Sequence, residues 1–252
     1  MNRYLFLILL LCLLPSCATV QNDYDPLIGL NRGTESFNTT VDKVSLKPIA
    51  KGYQAVTTKN VRNMVSNFYD NATYLNTVLN DFLQGKGQQG VEDFGRFLIN
   101  STLGIAGLAD VASSFGLEKH DEDFGQTLGV WGADQGAYIV YPFFGPNSVR
   151  DTPGFITETA TDPLFWVSLA TAPQVTLPLT VLKYIDKRSR LMEASDMRDE
   201  LALDPYLFTR EAWRQSREYK IHDGNPPVNN AANGEDNWGD DSFDDEPFDK
   251  AK

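Results

Sequence analysis

The chain has 252 residues, 42% of them hydrophobic, and its 34 acidic against 22 basic residues give a formal net charge of −12. That length accommodates one large core or two small ones. The negative balance argues against nucleic-acid binding, which needs a basic face, but it does not argue against contact with a membrane.

At the N-terminus, Met1-Asn2-Arg3 precedes an uncharged run from Tyr4 to Leu14 and then Leu14-Pro15-Ser16-Cys17. A basic start, a short apolar run and a small residue before the break are the parts of a secretory leader. The run is too short to cross a bilayer, which takes about 20 apolar residues. Leu14 and Ser16 fit a bacterial lipobox with Cys17 as the lipidated residue, although Pro15 is unusual there; an ordinary leader with a chance cysteine is the alternative. Ala18 is not the Asp associated with inner-membrane retention, which favours the outer membrane. Cys12 leaves with the leader, so the mature chain has no second cysteine for a disulfide and its stability must come from packing.

Within the body, Val61, Met64, Val65, Phe68, Ala72, Leu75, Leu79 and Phe82 recur at helical spacing, with Asn60 placed to cap the start and Gly85 to end the helix. Ala137 to Tyr141, closed by Pro142, reads as a short strand. A helix is expected from Leu179 to Met197. Another opens with Asp204 as N-cap and Pro205 at its first position, and ends around Lys220, His222 and Gly224. No internal repeat is visible. Gly224 to Asn230 reads as a linker to an acidic tail in which Glu235 to Asp249 holds eight acidic residues and no basic one. Such a tail is expected to be disordered. Its interleaved Trp238, Phe243 and Phe248 suit docking on a basic partner, and simple solubilisation is an equal alternative.

Three uncharged stretches resist a soluble-helix description: Phe97 to Ala109, Gly136 to Val149, and the twenty residues from Pro163 to Leu182. The last has the length of a span, but Pro173, Pro178 and its Ser, Thr and Gln content count against one. Two readings stand. One is a buried core of broken helices; the other is a set of helices in or around a membrane with small and polar residues facing an internal cavity.

Catalytic patterns are sparse. The chain holds no G-x-S-x-G, H-E-x-x-H or P-loop. Its two histidines, in His120-Asp121 and His222-Asp223, would need several further ligands to form a metal site, and surface or capping roles fit them better. No catalytic residue, metal or cofactor is expected.

Asp25-Pro26-Leu-Ile-Gly-Leu-Asn31-Arg32 with Phe37-Asn38 resembles the opening signature of the VacJ/MlaA family of outer-membrane lipoproteins. Arg96 to Asp110, with Asn100, Gly104 and Gly107, resembles that family's central Gly-rich motif. Glu122 to Gly129 with Gly125, Tyr141-Pro142 to Gly145-Pro146 with Arg150-Asp151, and Asp204-Pro205-Tyr206 with Arg210-Glu211 continue the match in order, so it covers roughly Asp25 to Gly224. Ile28, Pro15 and the long acidic tail depart from it.

The resemblance implies a mainly α fold, a single helical domain shaped as a membrane-embedded ring around a central amphipathic channel. It implies removal of mislocalised phospholipids from the outer leaflet, a trimeric porin that holds the ring, and a soluble periplasmic carrier that takes the lipid. The chain then divides into a signal peptide (1–16), a lipidated tether (17–24), a helical lipid-transport domain (25–224) and the disordered tail (225–252). A phospholipase or other lipid hydrolase, and a structural lipoprotein that braces porins, are the competing readings.

Overall fold

The structure, a computed structural model, describes residues 25–171 and 173–227. The expected leader, Cys17 and the acidic tail lie outside them.

Helix α1 (Ile28–Val41) continues through a π turn (Asp42–Leu46) into α2 (Lys47–Val56). Pro48 explains the π turn. Its ring cannot donate a backbone hydrogen bond and crowds the preceding turn, and widening that turn keeps the helix continuous. Helix α3 (Lys59–Leu83) starts at Thr58, whose hydroxyl accepts from the Val61 N–H at 3.4 Å. The cap is therefore Thr58 and not Asn60, because the hydroxyl one residue before the helix reaches the free N–H of the first turn. The helix ends as expected, with Gly85 in the left-handed region at φ +80°. That turn folds α4 (Gly87–Thr102) back against α3 as a helical hairpin.

A short 3-10 helix (Ala112–Phe115) and helix α5 (Phe124–Val130) lead to the small sheet. Its strands, β1 (Tyr138–Tyr141) and β2 (Gly145–Ser148), pair antiparallel from Tyr138 opposite Ser148 to Tyr141 opposite Gly145. The second strand was not legible, since Gly-Pro-Asn-Ser has no β propensity. Helices α6 (Thr152–Thr161), α7 (Pro163–Ala170) and α8 (Pro173–Arg190) follow. Both Pro163 and Pro173 open helices, where a missing N–H costs nothing, so these prolines cut the uncharged stretch into separate helices. Pro178 lies inside α8 without ending it. The helix expected from Leu179 to Met197 is in fact divided at Leu191 between α8 and α9 (Met192–Leu201). Helix α10 (Pro205–Ile221) begins as expected, with the Asp204 carboxylate accepting from Tyr206 N–H at 3.0 Å and Leu207 N–H at 3.2 Å.

The polarity of this fold is inverted. On α3 the apolar stripe faces outward: Val61 is 43% exposed, Met64 45%, Leu79 46% and Phe82 50%. Asn80 and Asp81, by contrast, are 1% and 0% exposed. Among the described residues 21 polar or charged residues are buried against nine hydrophobic ones. No residue of α7 is buried, although its sequence is Pro-Leu-Phe-Trp-Val-Ser-Leu-Ala. Phe143, Phe144, Ile156, Trp166 and Leu169 are all exposed as well. Each large apolar side chain left in water forgoes about 1.5–3 kcal/mol, so a surface of this kind requires an apolar phase or partner against it. No described helix is long and apolar enough to cross a membrane.

Asn31 ties α1 to the sheet. Its amide donates to Tyr138 C=O and accepts from Val140 N–H, both at 2.9 Å, so that it completes the free edge of β1 as a neighbouring strand would. Two helical turns later Asn38 repeats the pattern, donating to Tyr141 C=O at 2.9 Å and accepting from Phe143 N–H at 2.8 Å. Asn31 is fully buried. Replacing it by Ala leaves a donor and an acceptor of β1 without partners in a dry site, and is expected to cost about 2–4 kcal/mol, whereas Asn38→Ala, on the open side, costs about 1 kcal/mol. Chemical denaturation in detergent measures both; equal losses would show that the two amides are not graded by burial.

Candidate functional site

The polar residues of the interior gather into clusters that join segments far apart in sequence. In the first, the fully enclosed Asp25 accepts from the Tyr206 hydroxyl and from Asn31 Nδ2, the latter at 3.3 Å, and Arg210 Nη1 lies 3.7 Å away. Arg32 forms a two-point ion pair with Asp204, with Nη2 to Oδ2 at 2.6 Å and Nη1 to Oδ1 at 3.3 Å, and its guanidinium lies 4.6 Å over the Tyr206 ring. Asp204 thus caps α10 and holds α1 at once. Arg32 keeps the Asp204 carboxyl below its ordinary range, and burial pushes the Tyr206 hydroxyl up.

The Gly-rich segment forms the second cluster. Arg96 donates to Asp110 Oδ2 at 2.6 Å, to Leu117 C=O at 2.5 Å and to Ser113 Oγ at 3.1 Å. Asn100 donates to Asp110 Oδ1 at 3.1 Å and accepts from Ala112 N–H at 2.9 Å. Between these anchors the chain turns through Ile105 and Ala106, both at φ 56°, and Gly107 at φ +87°. A β-branched residue is strained there, and the turn leaves Leu103 and Ile105 exposed. A Cβ on Gly104 would strike the Ala109 and Asn100 carbonyls, and one on Gly107 would strike the Asn71 side chain. Both glycines serve close packing. The cluster surrounds a cavity of about 20 Å³ lined by Asn71, Tyr74, Arg96, Asn100 and Lys119 among others.

The third cluster centres on Arg217 of α10. Its Nη atoms meet the two oxygens of Asp123 at 2.5 and 2.9 Å, and its Nε lies 3.1 Å from Asp151 Oδ2, which is shared with Arg150 through Oδ1 at 2.9 Å. Although burial alone would raise it, the bond and charge of Arg217 hold the Asp123 carboxyl down to about 2. Gly125 and Gly129 are needed here. A Cβ on the first would collide with Asp151 and Arg217, and one on the second would come within 2.8 Å of Ile221.

Beside this cluster charged groups of α6, α8, α10 and the segment before α5 converge. Lys183 pairs with Asp162 at 2.7 Å and Lys220 with Asp121 at 2.5 Å. Glu158 is open to solvent, yet surrounding protein pushes its carboxyl above its ordinary range, with Asp123, Lys187, Asp121 and Arg217 as its charged neighbours.

The motif residues therefore divide four ways. Asp25, Asn31, Asp204 and Tyr206 meet in the first cluster, with Pro26 and Pro205 beside them in the chain. Arg96, Asn100, Gly104, Gly107 and Asp110 form the second, and Gly125, Gly129, Arg150 and Asp151 the third. Phe37, Asn38, Pro142 and Gly145 sit at the sheet turn, where Phe37 packs edge-on to Phe143 at 5.3 Å. Neither histidine pairs with the aspartate beside it: His120 Nδ1 lies 3.0 Å from Asp93, and His222 Nδ1 lies 3.0 Å from the Glu218 carbonyl. Glu158, Lys187 and Arg217 escaped sequence reasoning, because isolated charges on helices read as solvated surface, and Asp123 lay within the matched Glu122 to Gly129 stretch without being singled out. The asparagines recurring at helical spacing on α3 were the available signal.

The chain matches the model of the MlaA lipoprotein family over residues 23–220. It is 35% identical over 199 residues to an uncharacterised protein of Rickettsia typhi, covering 79% of this chain and 78% of that one. It is 32% identical over 224 residues to the intermembrane phospholipid transport system lipoprotein MlaA of Escherichia coli K12, covering 84% and 86% of the two chains. A solved structure reported as the structural basis for maintenance of bacterial outer membrane lipid asymmetry superposes with a TM-score of 0.68 at 30% identity, over 78% of this chain and 98% of that chain.

Two substitutions probe the clusters. Gly107→Ala must force alanine into a left-handed conformation, at about 1–3 kcal/mol, and also displace Asn71, so a drop in thermal stability beyond that range is expected; an unchanged melting temperature would place the turn elsewhere. Arg217→Gln strands the partly enclosed Asp123 carboxylate, leaves Asp151 with Arg150 alone, and should destabilise by about 3–5 kcal/mol at neutral pH. The Asp123 pKa is depressed, so its contribution is complete above about pH 4 and is lost as pH falls through about 2. Wild type and variant should accordingly converge on acidification. Urea titrations at pH 7 and pH 3 measure this, and a gap that stays constant would assign the loss to packing.

Proposed function

The chain belongs to the MlaA lipoprotein family, and from that premise we propose that it removes mislocalised phospholipids from the outer leaflet of a bacterial outer membrane and passes them toward the periplasm. The observation that carries this reading is the inverted polarity: apolar side chains on the outside of α3, α6, α7 and the sheet turn, with hydrogen-bonded polar and charged groups within. Hydrocarbon around the protein accounts for the first, and a route for a polar headgroup accounts for the second.

A phosphate-bearing headgroup moving through hydrocarbon unaided faces a cost of several kcal/mol or more. Glu158 and its neighbours Lys187 and Arg217 offer charges of both signs, and the outward apolar surface keeps the acyl chains in an apolar phase. Such a path lowers the barrier with no bond made or broken, so the reading is non-enzymatic. Its finer parts belong to the same proposal: a lipid anchor on Cys17 at the periplasmic face, a trimeric porin against the apolar surface, a soluble carrier that takes the lipid, and a channel through the 25–224 domain. The hydrolase alternative rests on His120, whose ring is engaged by Asp93 and not by a hydroxyl nucleophile.

Outer-leaflet phospholipid should rise when the gene is deleted and return with the wild-type copy. Glu158→Lys, at an exposed side chain, should restore it several-fold less well at equal protein level and unchanged melting temperature. No rise on deletion would sink the proposal, and release of fatty acid by the purified protein would replace it with hydrolysis.

A further inference from the structure

We propose that Asp81 and Asp93 share one proton and thereby fasten the α3/α4 hairpin to the segment carrying His120, so that losing this proton loosens that segment. The inference is independent of what the chain transports.

Asp81 lies in the last turns of α3 and Asp93 in the second turn of α4, and neither has any solvent exposure. Asp93 is held by two groups outside the pair: the Tyr74 hydroxyl donates to Oδ1 at 2.6 Å and His120 Nδ1 lies 3.0 Å from Oδ2. Asp81 is placed differently. Gln89 Nε2 donates to its Oδ1 at 2.7 Å, but its Oδ2 is enclosed with no donor directed at it. An ionised carboxylate in that position would bury a charge against a second acid at a cost of several kcal/mol. A proton on Oδ2 turns it into a donor, and Asp93, whose charge acts on Asp81, is the carboxylate placed to receive it.

The charges facing the pair do not relieve it. Lys86, in the turn between the helices, is held by Glu122 at 2.9 Å and by Asp223 at 2.5 Å. Arg96, one turn further along α4, is bonded to Asp110 at 2.6 Å. Glu122, on the segment with His120, adds a negative charge that acts on Asp81 in the same sense as Asp93. Burial, the bond to Asp93 and these charges push the Asp81 carboxyl up to about 8.

The sign follows from linkage. The folded chain holds a proton that an unfolded aspartate releases near pH 4, so the contribution is complete below about pH 4 and is lost progressively as pH rises through about 8. Release has a structural route. His120 and Gln89, which each hold one acid of the pair, also line an open recess of about 440 Å³ with Lys86, Gln88 and Glu92. Water reaching an ionised Asp81 from that side displaces His120, whose backbone N–H is fastened only to the Tyr74 hydroxyl, at 3.2 Å.

The test is hydrogen–deuterium exchange on the full chain in detergent micelles, comparing wild type with Asp81→Asn at each pH from about 6 to 9. In Asp81→Asn an uncharged amide replaces the proton-bearing carboxyl. Protection of residues 84–93 and 117–122 in wild type should fall roughly tenfold relative to the variant across that range, with the rest of the chain unchanged. Parallel pH profiles in the two proteins would overturn the proposal. Infrared spectroscopy of the wild type gives a readout that survives a misfolded variant. The C=O stretch of a protonated carboxyl should be present at about pH 6, be halved around pH 8 and be gone by about pH 10, and its absence at pH 6 would equally overturn the inference.

Discussion

Hydrogen bonding inside a polar interior is the constraint on which this fold depends. A buried amide or hydroxyl without a partner costs about 1–3 kcal/mol, and a buried charge more. Asn31, Asn80, Asp81, Asp93, Gln126 and Asp186 are all fully enclosed, so stability rests on geometry that supplies each of them with a partner. Asn31 on the edge of β1 and Arg96 within the Gly-rich turn show how this is done: one side chain satisfies two or three groups from a segment remote in sequence. Hydrophobic burial, which dominates ordinary domains, is limited among the described residues to nine side chains, of which Tyr138, Val140 and Tyr206 form a small nucleus with Ile28, Leu207 and Trp213 packed against it.

The same constraint separates what holds the molecule together from what it presents outward. Ion pairs that join distant elements, such as Arg188 with Asp42 at 2.6 Å and Arg32 with Asp204 at 2.6 Å, lie between helices whose outer faces are apolar. A protein in water would place these groups the other way round. With hydrocarbon as the surrounding phase, the outward leucines and phenylalanines cost nothing, and charged pairs are strengthened where the dielectric is low.

Much of the fold was legible in the sequence. The periodicity around Val61 to Phe82, the Asp204-Pro205 start and the turn at Gly85 each follow from local chemistry, and the order of motifs pointed to the family. Helical periodicity, however, identifies two faces without saying which is inside, because the interior is recognised by assuming water outside. On α3 that assumption fails, and the asparagine face is the buried one. The charged group around Glu158 was illegible for a related reason. Glu158, Lys187 and Arg217 come from three helices far apart in sequence, and no spacing rule links them. Boundaries set by proline were only partly readable: Pro163 and Pro173 open helices, Pro178 is absorbed inside one, and the three cannot be told apart by composition.

The clasp of Asp25 and Arg32 with Tyr206, Arg210 and Asp204 has a consequence for how the chain is made. Residues near the start of the body acquire their partners only when residues almost two hundred positions later are present. A chain made from its N-terminus therefore cannot complete its first polar cluster until α10 is present, and that cluster closes only when nearly the whole of the described chain exists. Removing α10 by truncation leaves Asp25 and Arg32 without these partners, so the last helix decides whether the first is held.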